Sequence, residues 1–165
     1  MNIKDEIIGW LCDAYAMELS QEAALEKICN NSEETIECRT AAAMHLTETR
    51  QHSRIMESLA RSLGADVFSF KKGLGVMAEK LHGIETMLSH DGQIKDLLGC
   101  YATEHFEIAC YSALAAAADV AGFSQITNAC RQIILDEEKM AETIRKELPQ
   151  VVRDYLQPVP VSRAA

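Results

Sequence analysis

Proline is nearly absent from the chain: its 165 residues hold three, Pro149, Pro158 and Pro160, so nothing before residue 149 forces a helix to break. Glycine is scarce too. Five of the eight lie from Gly64 to Gly92, which leaves long intervals on either side clear of both helix breakers. Positive charge is in the minority, with 16 Lys and Arg against 25 Asp and Glu and a net charge of −9. Such a surface repels nucleic-acid backbones and anionic membranes, so neither is an expected partner. Apolar runs of the ~18 residues that span a bilayer are missing. The start, MNIKDEIIGW, places Asp5 and Glu6 where a secretion signal needs positive charge followed by an apolar stretch, and the expected location is cytoplasmic. The chain also lacks CxxC, GxSxG, GxxxxGK[ST] and GxGxxG motifs, and with them the signatures of zinc knuckles, hydrolase elbows and phosphate loops.

What is present is a soluble composition, 48% hydrophobic and 25% charged, on a chain of single-domain length. The six cysteines, Cys12, Cys29, Cys38, Cys100, Cys110 and Cys130, sit among Ala, Leu and Ile, where a thiol packs as a small hydrophobe. Trp10, Phe68 and Phe70 are expected to cap the core.

Helical periodicity dominates, and sustained alternation of β-branched residues is missing. Apolar positions recur at steps of three and four through Ile7, Leu11, Ala14, Glu18, Gln21, Leu25 and Ile28. The same steps link Cys38, Ala41, His45, Glu48, His52, Ile55 and Leu59, then Leu97, Tyr101, Glu104, Ile108, Tyr111 and Ala115. A fourth series takes Ile134, Glu138, Ala141, Ile144 or Arg145, and Leu148. The pattern predicts an all-α single domain with helices over about 4–29, 33–63, 93–121 and 124–147. Gly64 and Gly122 stand where helix ends need a left-handed residue. A short C-terminal turn and a frayed tail follow residue 149. Short connections make the first pair and the last pair antiparallel hairpins, while the long middle connection, with a short helix around Leu74 to Leu88, must cross the bundle. Two hairpins joined by one crossover form the ferritin-like arrangement of a four-helix bundle.

Each of the four stripes carries an acid near its middle: Glu18, Glu48, Glu104 with Glu107 one turn on, and Glu138 with Glu142 one turn on. A single such acid is commonly solvated at the edge of a stripe. Four or five converging on one core repel one another unless protons or cations neutralise them, and two divalent metals bridged by carboxylates would do so. His52, four residues after Glu48, is a candidate ligand; His45, three before it, is an alternative ligand or a partner that orients a carboxylate. Glu142 is either a ligand or a solvated acid, and an antiparallel second and fourth helix would let it pair with His45. His105 points away from the stripe, next to Glu104.

The stretches WLCDAYAMEL, HLTETRQH, ATEHFEIACYSALAAA and ILDEEKMAE, with the crossover and the LPQ tail, resemble the YciE/YciF-type ferritin-like stress proteins of bacteria, the YciE branch most closely. The resemblance covers nearly the whole chain. It implies a ferritin-like bundle, a rubrerythrin-like site for two metal ions, with iron expected and manganese as an alternative, and a homodimer. Carried over position by position, it implies Glu18, Glu48, Glu104, Glu107 and Glu138 as the core acids. One departure stands out: the ExxH of ferritin-like di-iron sites is absent, since Gln51 and Ala141 stand three residues after Glu48 and Glu138.

The expected function is therefore a di-metal carboxylate protein of the stress response, reacting with oxygen or peroxide and served by an unidentified redox partner. Glu48 and Glu138 would bridge, Glu18 and Glu104 or Glu107 would bind terminally, and His52 would complete one metal. The alternative is a metal-free helical dimer with a structural or partner-binding role.

Overall fold

The computed structural model describes residues 2–32, 36–66, 68–74 and 92–157 of the chain. Four long helices carry the architecture: α1 (Ile3–Asn30), α2 (Ile36–Ser62), α4 (Gly92–Val120) and α5 (Ser124–Leu156). A short helix, α3, is described over 68–74, earlier than the crossover helix expected around Leu74 to Leu88, most of which lies outside the described residues.

Local chemistry sets the ends. Asn2 is extended, and its side-chain oxygen accepts from the Lys4 amide at 3.2 Å, with Asp5 and Glu6 in the first turn of α1 where the helix dipole favours acids. Gly64 (φ 102°) and Gly122 (φ 78°) stop α2 and α4 in the left-handed conformation. Beyond them the Ala65 and Phe123 amides donate back to the carbonyls of Ala60 and Ala118 at 3.0 and 2.8 Å, which satisfies carbonyls the helix leaves open. At the other end of the chain α5 does not stop at 147. It runs through Pro149 to Leu156 as one helix. A proline gives up its own amide bond, a loss tolerable where the helix surface is wet. Beyond it Gln150 donates to Asp154 at 2.8 Å and accepts from Arg153, which ties the last turns together.

α1 pairs with α2 and α4 with α5, and the two hairpins meet through α1 against α4 and α2 against α5. Contacts across the bundle give the directions. Gln21 reaches Glu104 while Glu18 reaches Tyr111, so α1 and α4 run antiparallel. Glu48 faces Lys139 while His52 faces Asp136, so α2 and α5 do as well. It follows that α2 and α4 are parallel, so the end of α2 and the start of α4 lie at opposite ends of the bundle.

The apolar interior is divided. One large cluster, with Ile7, Leu11, Met56, Leu114, Ile126 and Ile133 among its members, fills the end where α2 meets α3. A much smaller one, Leu25, Ala42 and Leu46, lies at the other end between α1 and α2. Between the two sits a layer of buried polar side chains. Cys12 and Cys130 belong to the large cluster, and burial pushes their thiols up to about 11 and about 12, so they serve as packing groups. Phe70 enters the same cluster edge-on to Tyr15, at 5.2 Å between ring centres, with the Arg61 guanidinium 4.9 Å from its ring centre. Trp10 and Phe68 do not cap it; they are 42% and 76% exposed.

Gly73 fixes how closely α3 lies on α1. A Cβ at that position would come within 2.6 Å of the Cys12 carbonyl oxygen and 2.7 Å of its carbon, both backbone atoms. Gly73→Ala is therefore expected to lower stability by about 1–3 kcal/mol, the usual cost of overpacking. Thermal unfolding followed by circular dichroism checks this; an unchanged midpoint would show that α3 can lift away freely.

Candidate metal centre

Six titratable side chains form the polar layer, and all are 3% exposed or less: Glu18 from α1, His45 and His52 from α2, Glu104 and Glu107 from α4, and Glu137 from α5. Helix geometry puts them there. His45 and His52 are seven residues apart, nearly two whole turns, so both rings leave the same face of α2 about 10 Å apart along the axis. Glu104 and Glu107, three apart, share the inner face of α4. Glu137 continues the buried stripe Ile126, Cys130, Ile133, Ala141, Ile144 on α5.

Each histidine points one nitrogen inward and one outward. His45 Nε2 lies 3.3 Å from Glu104 Oε1 and 3.5 Å from Glu137 Oε2, while its Nδ1 is bonded to Glu48 Oε2 at 3.3 Å. His52 is turned the other way. Its Nδ1 lies 3.0 Å from Glu137 Oε1 and 3.7 Å from Glu18 Oε1, and its Nε2 is bonded to Asp136 Oδ2 at 3.2 Å. Tyr111, fully buried, donates its hydroxyl to Glu18 Oε1, and the Gln21 amide donates to Glu104 Oε1 at 3.0 Å.

The inward atoms are close to one another without hydrogen-bond geometry. Among the described residues nine buried side-chain atoms lack a hydrogen-bond partner; eight belong to these six residues, and the ninth is the Thr49 hydroxyl one turn from His45. An unsatisfied buried polar atom costs about 1–3 kcal/mol, so a concentration of this kind calls for a shared partner. The donor atoms fall into two groups, His45–Glu104–Glu107–Glu137 and Glu18–His52–Glu137, with atoms in each within 4.8 Å of one another. Glu137 belongs to both.

Without such a partner the layer holds protons. Burial lifts Glu18 to about 8 and Glu104 to about 7, although a nearby histidine favours the ionised form of each. Glu107 is raised well above the usual carboxylate range by burial and by the charges of Glu18, Glu137 and Glu104. His45 is raised to about 9: burial favours the neutral ring, but Glu104, Glu137 and Glu48 outweigh it. His52 is raised as well, chiefly by Glu137 and Glu18 against its burial. Glu137 is lowered, because contact with the histidines overcomes the effect of burial. The layer thus has one carboxylate kept ionised at its centre and others that bind protons in place of cations.

Of the residues predicted to bind metal, the structure brings Glu18, His52, Glu104 and Glu107 into this layer. Glu48 lies on its outer side, 31% exposed, against His45 and Lys139. Glu138 faces away beside Tyr101 and His105. Glu142 is a surface acid, bonded to Arg145 at 2.6 Å and close to Lys146, and these cations bring it down to about 2, so it does not pair with His45. His45 enters with its Nε2. Glu137 was missed; it lies 100° round the helix from Glu138. The signal existed in the run Ile126, Cys130, Ile133, Ala141, Ile144, whose steps of three and four pass through Glu137.

The comparisons agree with this architecture. The family described as a domain of unknown function, DUF892, matches residues 2–157. A crystal structure of a protein from Xanthomonas campestris pv. campestris is similar with a TM-score of 0.76 and 26% identity, covering 94% of this chain and 96% of that one. The Escherichia coli stress protein YciF aligns with a TM-score of 0.73 and 20% identity over 93% of this chain and 98% of its own. YcfI of Rhodopseudomonas palustris, described as a proposed structural protein, aligns with a TM-score of 0.65 and 20% identity over 88% and 94%. With its two antiparallel hairpins and a family match over residues 2–157, the chain belongs to the DUF892 family, the YciE/YciF-type ferritin-like helical proteins.

Proposed function

We propose that the polar layer is a two-metal carboxylate site, with iron as the resident metal, in a bacterial stress protein that reacts with oxygen or peroxide. The observation that carries this reading is the pair of donor groups sharing Glu137, in a layer that also holds eight buried atoms with no hydrogen-bond partner among the described residues. The donor set suits the metal: four carboxylates and two imidazoles are the oxygen and nitrogen ligands of iron and manganese, and four negative charges match two divalent cations. His45, Glu104 and Glu107 would hold one ion, Glu18 and His52 the other, and Glu137 would bridge. Bound iron would supply the electron exchange with the oxidant.

The chain's own residues prepare that site. Glu48 and Asp136 each lie within hydrogen-bond distance of the outer nitrogen of a histidine; as carboxylates they would accept its N–H, which would fix the tautomer and leave the inner lone pair for the metal. Tyr111 orients Glu18, and burial with the neighbouring Glu18 charge keeps its phenol protonated far above its usual range. The helices bury all six side chains of the layer, and burial strengthens the charge interactions within it. A homodimer is part of the same proposal. The outer face of α4 carries exposed Ala102, Ala109, Ala113, Ala116 and Val120, small enough for close helix approach. A cytoplasmic location is proposed with it; no helix among the described residues is long and apolar enough to cross a membrane.

Elemental analysis of protein prepared with iron and manganese and without chelator tests the site. About two metal ions per chain is the expected result. A folded protein that retains none would transfer the reading to a metal-free structural role.

A further inference from the structure

Between α2 and α5 a surface cavity of about 110 Å³ has a member of the polar layer in its wall, His45, which is 1% exposed and whose Nε2 has no hydrogen-bond partner. Ala41, Met44, Glu48, Lys139 and Met140 complete most of the lining. We propose that this cavity is the portal through which divalent cations reach the buried layer, with the Lys139–Glu48 pair as its gate. The inference rests on the two-metal reading above.

The route is short and its charges are ordered. Lys139, 66% exposed, lies at the mouth with its Nζ 3.4 Å from Glu48 Oε1. The other oxygen of Glu48 meets His45 Nδ1 at 3.3 Å, and His45 Nε2 faces Glu104 and Glu137 across the ring. From the water inward, a cation meets a lysine that repels it, a partly exposed carboxylate that attracts it, and then the layer itself. The ammonium on Glu48 both neutralises the attracting charge and blocks the mouth. An arriving dication competes for the same carboxylate, and displacement of Lys139 into solvent costs little because its side chain is already 66% exposed. Ala41, in the same lining, has no side chain beyond its Cβ.

The test is stopped-flow uptake of Co(II), followed by its visible absorption, into metal-free protein at fixed pH and ionic strength, paired with Co(II) removal by excess EDTA. Ala41→Phe fills the cavity and is expected to slow uptake and removal by the same factor, about tenfold or more, with stoichiometry unchanged. Lys139→Met removes the repelling charge and is expected to speed uptake by about tenfold, the lower end of electrostatic focusing effects. Glu138→Gln, in the neighbouring groove beside Tyr101, is expected to leave the rates unchanged. Two Co(II) per chain with wild-type uptake rates in both Ala41→Phe and Lys139→Met would overturn the portal and leave the two-metal site standing. Failure of wild-type protein to bind Co(II) would overturn both.

Discussion

Glu137→Gln is expected to abolish stable binding of both metals, while Glu138→Gln retains both. Glu137 is the one side chain common to the two donor groups, and it keeps its negative charge where its neighbours take up protons. The amide leaves one oxygen donor but removes the charge that two cations would share. Loss of an outer partner of a metal ligand costs 10–100-fold in affinity, and loss of a bridging ligand should exceed about 100-fold. Glu138 reaches none of the layer's atoms, so its substitution tests the rotation of α5 directly. The measurement is metal content after gel filtration, with helicity checked by circular dichroism. Equal metal loss in both variants would show that the acidic surface, rather than the layer, holds the ions.

The second large effect is a reversal of pH dependence on loading. Metal-free protein should melt at a higher temperature near pH 5 than near pH 8.5. Glu18, Glu104 and Glu107 bind protons more tightly in the fold than in an open chain, where carboxyls titrate near 4.5. The stability they contribute is complete below that value and is lost as pH rises through about 7 and about 8. His45 acts in the same sense, fully contributing below about 6.5 and losing its contribution toward about 9. Glu137, lowered, opposes them only below its ordinary value of 4.5. In loaded protein the sign inverts, because protons compete with metal for the same atoms and stability falls as pH drops. Melting curves with and without chelator, at both pH values, read this out. Glu107→Gln should flatten the slope of the metal-free form, which separates the layer from the general repulsion of a −9 chain. Parallel slopes in the two forms would defeat the assignment.

Much of the architecture was legible because its determinants are local. The two intervals free of proline, each closed by a glycine, became α2 and α4, and the short connections imposed the pairing of α1 with α2 and of α4 with α5. The site was legible to the accuracy of a helix's rotation. On α1 and α4 the apolar flanks on both sides of Glu18, Glu104 and Glu107 fix the inner face. On α2 the eye followed Glu48, since the stripe passes within 60° of it, yet the inner line runs through His45, Thr49 and His52. On α5 the acidic run Asp136, Glu137, Glu138 offers three neighbours 100° apart, and only the register of the turns before it selects the middle one. Pairings across the bundle, such as Gln21 with Glu104 or His52 with Asp136, depend on how deeply one helix slides against another, which no single stripe encodes.

The unequal division of the core gives the molecule a mechanical asymmetry. At the α3 end, four helices and Phe70 share one continuous apolar cluster; at the other end, among the described residues, Leu25, Ala42 and Leu46 form a smaller cluster of α1 and α2, and a gap of about 20 Å³ lies between it and the buried Leu97 and Ile144 of α4 and α5. Among the described residues, the larger shared apolar cluster of the two hairpins thus lies at the α3 end. The polar layer lies between the two clusters. A cation shared by Glu137 and side chains of the facing helices would act as a rivet at that point, adding a cross-link between the hairpins that binds only the folded state and so stabilises it.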